Sequence, residues 1–241
     1  MDNSTATNQQ LQKENTALKE KNKTLEECLS IVAHDLRSPL TVVMILANSL
    51  EADKQSLKLI QESLERINQI IEKLLSAPKL EGENFKLDLE PFDLKEFFQN
   101  FFDSQRPLLE KAKIQFTFED KLPADNNSIT ADKTHLQQVL ENLISNALRF
   151  TPKDGNGKIT LTVAKPDSAK ISISVSDNGP GVPADKKTKI FEKFTSHAKK
   201  PSTGLGLYIC QKIIELHNGK IWCEDAPGGG AKFVIEIPQQ T

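Results

Sequence analysis

The N-terminal region carries a heptad repeat in a stretch without glycine, which restricts it to long helices. The first fifty residues contain no glycine and a single proline, Pro39. The d positions of the repeat are apolar: Leu11, Leu18, Leu25 and Val32. The a positions are mostly asparagine: Asn8, Asn15, Asn22 and Leu29. Asparagine at a with leucine at d favours a parallel two-stranded coiled coil and fixes its register. We predict such a coiled coil over residues 1–33, with a solvated single helix as the alternative.

A helical hairpin is predicted over residues 28–77. The helical pattern continues to about Leu50, and a polar turn over 51–54 leads into a second helix. The apolar residues of that helix lie three and four positions apart: Leu57, Ile60, Leu64, Ile67, Ile71, Leu74 and Leu75. A two-helix hairpin has only half a core, and two hairpins from two chains complete a four-helix bundle. The pattern therefore predicts a homodimer.

The chain changes character after the hairpin. Pro78 and Gly82 interrupt the helical pattern and predict a linker over 78–84. Beyond it, helices are predicted at about 93–112, 132–150 and 205–217. Three strands are predicted from alternating apolar residues, around 159–163, 171–175 and 233–237. The predicted fold class is α+β: a hairpin that forms a dimeric four-helix bundle, followed over 85–241 by an α/β sandwich with one sheet and one helical layer.

Composition excludes several classes of protein. The 31 basic and 33 acidic residues give a net charge of −2, which does not favour nucleic-acid binding. No apolar run approaches the roughly 20 residues that span a bilayer, so we expect no membrane segment in this chain. Cys28, Cys210 and Cys223 are widely spaced, which argues against a disulfide framework or a zinc site. A cytoplasmic location is expected.

The segment DNGPG at 177–181 is the first candidate binding element. Asp177 follows the strand 171–175 with the parity of its apolar face, so its carboxylate should point inward. A buried carboxylate needs a hydrogen-bond donor, and the amino group of adenine would serve. Gly179 and Gly181 would let the backbone turn sharply beside a ligand. The alternative is an ordinary Asn-Gly turn.

The helix 132–150 is the second candidate element. Asp132 could cap its first turn. Asn142, Asn146 and Arg149 share one face of this helix, and two mid-helix asparagines are unfavourable for helix propensity. An asparagine oxygen can ligate Mg²⁺, and an arginine can pair with phosphate oxygens. The alternative is a solvated polar face.

The segment GLGL, Gly204 to Leu207, opens the apolar helix at 205–217. A glycine just before a helix exposes free N–H groups at the positive end of the helix dipole, which suits phosphate. The alternative is a simple loop–helix junction.

His34 is the candidate nucleophile. In the heptad register it falls at f, the position that faces solvent. An exposed imidazole with a pKa of roughly 6.5 is largely neutral and nucleophilic near pH 7. Asp35 follows it, Ser38 lies one turn further on, and Pro39 would kink the helix. The alternative is a surface histidine with an incidental acidic neighbour.

These elements together, in this order, resemble the sensor histidine kinase family. AHDLRSPLT resembles its phospho-acceptor box and ENLISNALRFTP its N-box. DNGPG and GLGL resemble its two glycine boxes. IFEKF at 190–194 resembles its phenylalanine box, and GGGAKFVIEIP its closing strands. The likeness covers residues from about 28 to 238.

The resemblance implies an ATP-dependent protein histidine kinase. The γ-phosphoryl group of ATP would pass to His34 and then to an aspartate on the receiver domain of a response regulator. Asp35 would orient the imidazole or accept its proton, and residues 195–203 would form a lid. Ser38 stands where the family commonly has Thr or Asn to position water, which leaves phosphatase activity open.

The resemblance also implies a binding site for ATP and Mg²⁺. Asn146 would hold the metal, Asp177 the adenine amino group, and Phe150 would pack on the adenine. The full set of implied cofactor-binding residues is Asn142, Asn146, Arg149, Phe150, Asp177, Gly179, Gly181, Lys193, Gly204, Leu205, Gly206 and Leu207.

Two rival functions belong to other classes. One is a pseudokinase scaffold that dimerises without chemistry, against which the intact Asp177, Asn146 and glycine boxes argue. The other is a serine kinase or ATPase of the wider superfamily, against which the exposed His34 with Asp35 argues. ATPases of that superfamily carry a glutamate base where Asn142 stands. An asparagine cannot deprotonate water, which favours transfer to histidine over hydrolysis.

Overall fold

The computed structural model describes residues 15–16, 32–33, 36–37, 39–46, 54–81, 85–124, 127–167, 169–195 and 203–239. The chain divides into two compact units. The first comprises residues 1–75 with 194–205, and the second comprises residues 76–193 with 206–241.

Helices make up the N-terminal part of the first unit. Residues 32–33, 36–37 and 39–46 are helical, and helix α1 spans Lys54–Glu81. Both predicted helices of the hairpin are therefore confirmed where the chain is described. Most of the coiled coil predicted over 1–33 lies outside the described residues. Among the residues described, no helix combines the length and the hydropathy needed to cross a bilayer.

Helix α1 extends into the predicted linker. Helix α1 continues through Pro78 to Glu81, so the first four residues of the predicted 78–84 linker are helical. A proline removes one N–H from the helical ladder and clashes with one carbonyl, which costs about 3 kcal/mol but does not forbid another turn. The buried side chain of Leu80 offsets part of that cost.

Within its described residues, the second unit contains seven strands and three long helices. In chain order they are β1 (Glu90–Asp93), α2 (Leu94–Lys111), β2 (Ile114–Lys121), β3 (Ser128–Ala131), α3 (Lys133–Phe150), β4 (Gly157–Asp167), β5 (Lys170–Asp177), α4 (Gly206–Leu216), β6 (Lys220–Asp225) and β7 (Ala231–Pro238). Two short 3-10 turns, Ala184–Lys186 and Lys189–Phe191, precede α4. Five strands form one sheet in the order β2-β4-β5-β7-β6, while β1 pairs with β3 alone.

The three predicted helices are confirmed to within about a residue at each end, and an aspartate caps each of the first two. Asp93 caps α2 by accepting a hydrogen bond from Glu96 N at 2.9 Å, and Asp132 caps α3 by accepting from His135 N at 3.0 Å. Such caps satisfy amides that have no partner within the helix.

One face of the five-stranded sheet is covered by the helices. The inward side chains of β4, β5 and β7 are almost fully buried: Ile159, Leu161, Val163, Ile171, Ile173, Val175, Phe233, Ile235 and Ile237. Helices α3 and α4 pack against each other, α3 contacts β4 and β5, α4 contacts β6, and α2 contacts β2. The predicted two-layer α/β architecture is confirmed, while β1, β2, β3 and β6 were not predicted.

Candidate functional site

Asp177 is a buried carboxylate at the end of β5, as its parity predicted. Its side chain is 6% exposed, and Oδ1 accepts hydrogen bonds from Gly179 N at 2.8 Å and Ala231 N at 3.3 Å. Burial raises the pKa of Asp177, although the two backbone donors oppose that shift. Among the described residues, Oδ2 accepts no hydrogen bond, so one oxygen can take a donor from a ligand.

Glycines are required around Asp177 for steric reasons. A Cβ on Gly179 would lie 2.9 Å from Asp177 Oδ1 and 3.0 Å from the carbonyl oxygen of Phe150. Gly181 has φ of 74° and approaches the carbonyl oxygen of Gly230. Gly230 has φ of 94°, and a Cβ there would overlap the carbonyl oxygen of Asp177. Sequence reasoning assigned no role to Gly230, although three successive glycines before β7 were a visible signal.

Asn142 carries an unpaired donor inside the helical layer. Its side chain is 8% exposed, and Nδ2 is buried without a hydrogen-bond partner. A buried amide left unpaired costs about 1–3 kcal/mol unless a ligand or water completes it. Solvent exposure increases along the predicted polar face of α3: Asn142 is buried, Asn146 is half-buried and Arg149 is exposed.

The N-terminus of α4 lies beside Asn142. Gly206 is the first residue of α4, and a Cβ built on it would be 3.5 Å from Asn142 Oδ1. The positive end of the α4 dipole therefore lies beside an unpaired side-chain amide. Leu207, in the same turn, is half-buried.

The two ends of the predicted lid meet within the first unit. Phe194 N donates to the carbonyl oxygen of Gly204 at 3.1 Å, and both residues have positive φ, 62° and 64°. A Cβ on Gly204 would lie 2.5 Å from the carbonyl carbon of Phe194, so glycine is needed there too. Leu205 is buried. Residues 196–202 lie outside the described residues.

Two predicted cofactor-binding side chains are accessible to a ligand to different degrees. Phe150 is 39% exposed at the C-terminal end of α3, and its carbonyl group lies close to Gly179. Lys193 is half-buried, with Nζ 5.1 Å from the centre of the Tyr208 ring. Helix α3 therefore contacts both halves of the site, through Phe150 beside the Asp177 turn and through Asn142 beside α4.

The residues of the predicted phospho-acceptor site are not among those that the structure describes. His34, Asp35 and Ser38 lie outside the described residues. Their roles therefore stay predictions, whereas the residues around Asp177 and Asn142 have defined contacts. That geometry combines a desolvated carboxylate, an unpaired amide and a helix N-terminus, which suit a ligand with an amino group and an anionic group.

Two family models match adjoining parts of the chain. Residues 24–83 match "His Kinase A (phospho-acceptor) domain", and residues 131–241 match "Histidine kinase-, DNA gyrase B-, and HSP90-like ATPase".

Relatives extend that match over most of the chain. The adaptive-response sensory kinase SasA of Microcystis aeruginosa is 31% identical over 244 residues, which cover 95% of this chain and 62% of the relative. The solved catalytic domain of histidine kinase ThkA is 36% identical, with a TM-score of 0.56 over 64% of this chain and 97% of that domain. ThkA solved in complex with the response regulator protein TrrA is 30% identical, with a TM-score of 0.66 over 95% of this chain and 66% of ThkA. The chain thus spans about three fifths of the length of the SasA relative.

Proposed function

Because the chain belongs to the histidine kinase family, we propose that it binds ATP, phosphorylates its own His34 and transfers the phosphoryl group to an aspartate of a response regulator. The ThkA structure with the response regulator protein TrrA supports the class of partner.

The observation that carries ATP binding is the buried carboxylate of Asp177. Two backbone amides hold Oδ1, which leaves Oδ2 to accept a hydrogen bond from the exocyclic amino group of adenine. Guanine presents a carbonyl oxygen at the corresponding position and would repel the carboxylate. Phe150, partly exposed beside Gly179, offers an apolar surface for the base.

The phosphate side of the site is proposed at Asn142 and the start of α4. The unpaired Nδ2 of Asn142 fits a phosphate oxygen, and its Oδ1 or that of Asn146 fits a divalent cation. When bound, Mg²⁺ supplies neutralisation of the phosphate charge. Among the described residues no cluster of three or more His, Cys, Asp or Glu could hold a metal, so the cation would rest on asparagine and phosphate oxygens. Lys193, Arg149 and Gly206 would complete the phosphate contacts.

The chemical step proposed is an in-line displacement at phosphorus. A ring nitrogen of neutral His34 forms a bond to the γ-phosphorus while the bond to the bridging oxygen breaks and ADP leaves. The imidazole proton then passes to Asp35 or to water. In the second step an aspartate oxygen of the regulator attacks the same phosphorus and the phosphorus–nitrogen bond breaks. An amide at Asn142 cannot act as the general base for hydrolysis, which favours transfer over ATPase activity.

A homodimer formed through the hairpin is also proposed. Along α1, large apolar side chains are exposed within a single chain: Leu57, Leu59, Leu64 and Ile71. Leu57, Leu64 and Ile71 recur every seven residues on one side of this long helix, which is typical of a surface that a second chain covers. We propose that the hairpin and the ATP-binding domain are connected by residues 82–84. This connection is shorter than the predicted 78–84 because helix α1 reaches Glu81. The cytoplasmic location stays a prediction from composition.

Incubation with γ-labelled ATP and Mg²⁺ tests the proposal. We expect label that acid removes and alkali retains, as for phosphohistidine, and no label on the variant His34→Gln with ATP affinity unchanged. Alkali-labile, acid-stable label would indicate a phosphoserine and the rival serine kinase. Absence of label with normal ATP binding would favour the scaffold.

A further inference from the structure

A buried polar cluster lies at the start of α3, at the end of that helix remote from Phe150. The side chain of Asp132 is 4% exposed and accepts three hydrogen bonds. Its Oδ1 accepts from His135 N at 3.0 Å, the helix cap, and its Oδ2 lies 2.7 Å from His135 Nδ1. The third bond comes from Asp88 N, which donates to Oδ2 at 2.9 Å. Capping explains the first of these bonds and does not explain the third.

The cluster also holds the C-terminal end of α4. The backbone N–H of Asp132 donates to Nε2 of His217 at 3.0 Å, and His217 is 1% exposed. The other ring nitrogen, Nδ1, lies 2.8 Å from the carbonyl oxygen of Ile213 and donates to it, so the ring is neutral. Asp132 is ionised: burial would raise its pKa, but hydrogen bonds from His135 and Asp88 lower it. Both carboxylate oxygens of Asp132 and both ring nitrogens of His217 have defined partners, which makes the cluster a rigid point of attachment.

The segment fixed by this cluster is the one that enters the ATP-binding domain. Helix α1 ends at Glu81 and strand β1 begins at Glu90. Between them, the Asp88 amide is bound to Asp132, and the Phe85 ring meets His135 edge-on with centroids 5.4 Å apart. Three residues, 82–84, separate Glu81 from Phe85, whereas eight, 82–89, separate it from Glu90.

We propose that Asp132 is a positioning residue: it fastens Phe85–Asp88 to the ATP-binding domain and so shortens the connection that carries this domain to His34. The inference rests on the proposed function, because its consequence is measured in phosphoryl transfer. Once a tether is long enough to span its two sites, the effective concentration of the tethered group falls roughly as the −3/2 power of further length. Lengthening the connection from three residues to eight therefore lowers the transfer rate about fourfold.

The variant Asp132→Asn tests this in the full chain. Asparagine is as good a helix cap as aspartate. Its side chain has one acceptor oxygen in place of two, so it keeps the capping bond from His135 N and loses the bond from Asp88 N. The matched control is Asp93→Asn, the same exchange at the cap of α2, where Glu96 N is the one donor to the carboxylate in the part of the chain that the structure describes. His135→Leu is a second variant that removes the Nδ1 bond and leaves the cap intact.

Hydrogen exchange and transfer kinetics give separate readouts. In Asp132→Asn we expect amides of peptide 85–89 to exchange at least tenfold faster, kcat of self-phosphorylation to fall about threefold to fivefold, and KM for ATP to stay within twofold. His135→Leu should change both in the same direction by less, and Asp93→Asn should change neither. Unchanged exchange, unchanged kcat, or a rise in KM that accounts for the loss would each overturn the inference. If the wild-type protein never labels His34, the proposed function fails, whereas the exchange result still decides whether Asp132 anchors the segment.

Discussion

Replacing Asp177 with asparagine should separate nucleotide recognition from folding. Asparagine keeps one carbonyl oxygen for the amides of Gly179 and Ala231, 2.8 and 3.3 Å from Oδ1 in the wild-type protein. It replaces the second oxygen with a donor, which repels the amino group of adenine. A hydrogen bond to a charged group contributes about 1.5–3 kcal/mol, so ATP affinity should fall about tenfold to a hundredfold, with loss of preference for ATP over GTP.

The same variant should not lose stability. Burial raises the pKa of Asp177, so the folded protein favours the neutral form of this group more than the unfolded chain does. Stability from such a group is present below its unfolded pKa and is lost as pH rises through the folded pKa. At pH 7 the ionised carboxylate therefore costs stability, and a neutral amide removes that cost. The apparent Tm without nucleotide should be at least equal to that of the wild type.

Calorimetric titration with ATP and GTP, together with thermal unfolding, measures both effects. Asp185→Asn is the matched control, since Asp185 is exposed in a turn of the same segment and should change neither quantity. Asp177→Ala should lower the Tm as well as the affinity, because two amides lose their acceptor. Wild-type ATP affinity in Asp177→Asn, or a Tm loss as large as that of Asp177→Ala, would refute the reasoning.

Three further outcomes test other parts of the structure. Burial lowers the pKa of His217 below 6.5, so the unfolded chain binds more protons at this residue than the folded protein does. The free energy of unfolding should therefore fall as pH drops below about 6.5. Denaturant titrations from pH 7.5 to 5 should show a smaller fall in His217→Gln than in the wild type. Leu64 and Ile67 both changed to Asp should give monomers by light scattering, because charges would be buried unpaired in the proposed bundle; a wild-type monomer at micromolar concentration would contradict the dimer. Gly230→Ala should cost about 1–3 kcal/mol more than Gly228→Ala by denaturant unfolding, since both have positive φ but only at 230 would the Cβ overlap a backbone carbonyl; equal costs would contradict the steric role.

The parts of the fold that were predicted from sequence are those with strong local patterns. Strands β4, β5 and β7 lie next to one another in the sheet and bury one complete side, so their alternation was clear. Strand β6 is an edge strand with charged residues at both ends, Lys220 and Asp225, and its pairing depends on β7. Strand β2 runs parallel to β4 over a separation of more than forty residues, which a local pattern does not encode. The end of α1 was missed because a proline was treated as a stop.

In the candidate site, too, local features were predicted from the sequence and non-local contacts were not. Asp177 was predicted to point inward from strand parity alone, and Asp132 was predicted to be a cap from its position before a helix. The amide of Asp88, 44 positions from Asp132, and the imidazole of His217, 85 positions away, could not be predicted, because only the tertiary fold brings them together. The close approach of Gly230 to Asp177 is equally non-local.

Helix α3 connects these non-local contacts. Its first turn carries the Asp132 cluster, its middle carries Asn142 beside Gly206, and its last residue, Phe150, supports the turn at Gly179. The contacts at the two ends differ in kind: the cap end is held by charged hydrogen bonds, and the Phe150 end by backbone packing against glycine. Substitutions at Asp132 should therefore leave the geometry at Asp177 intact, which is why the proposed kcat loss is expected without a change in KM.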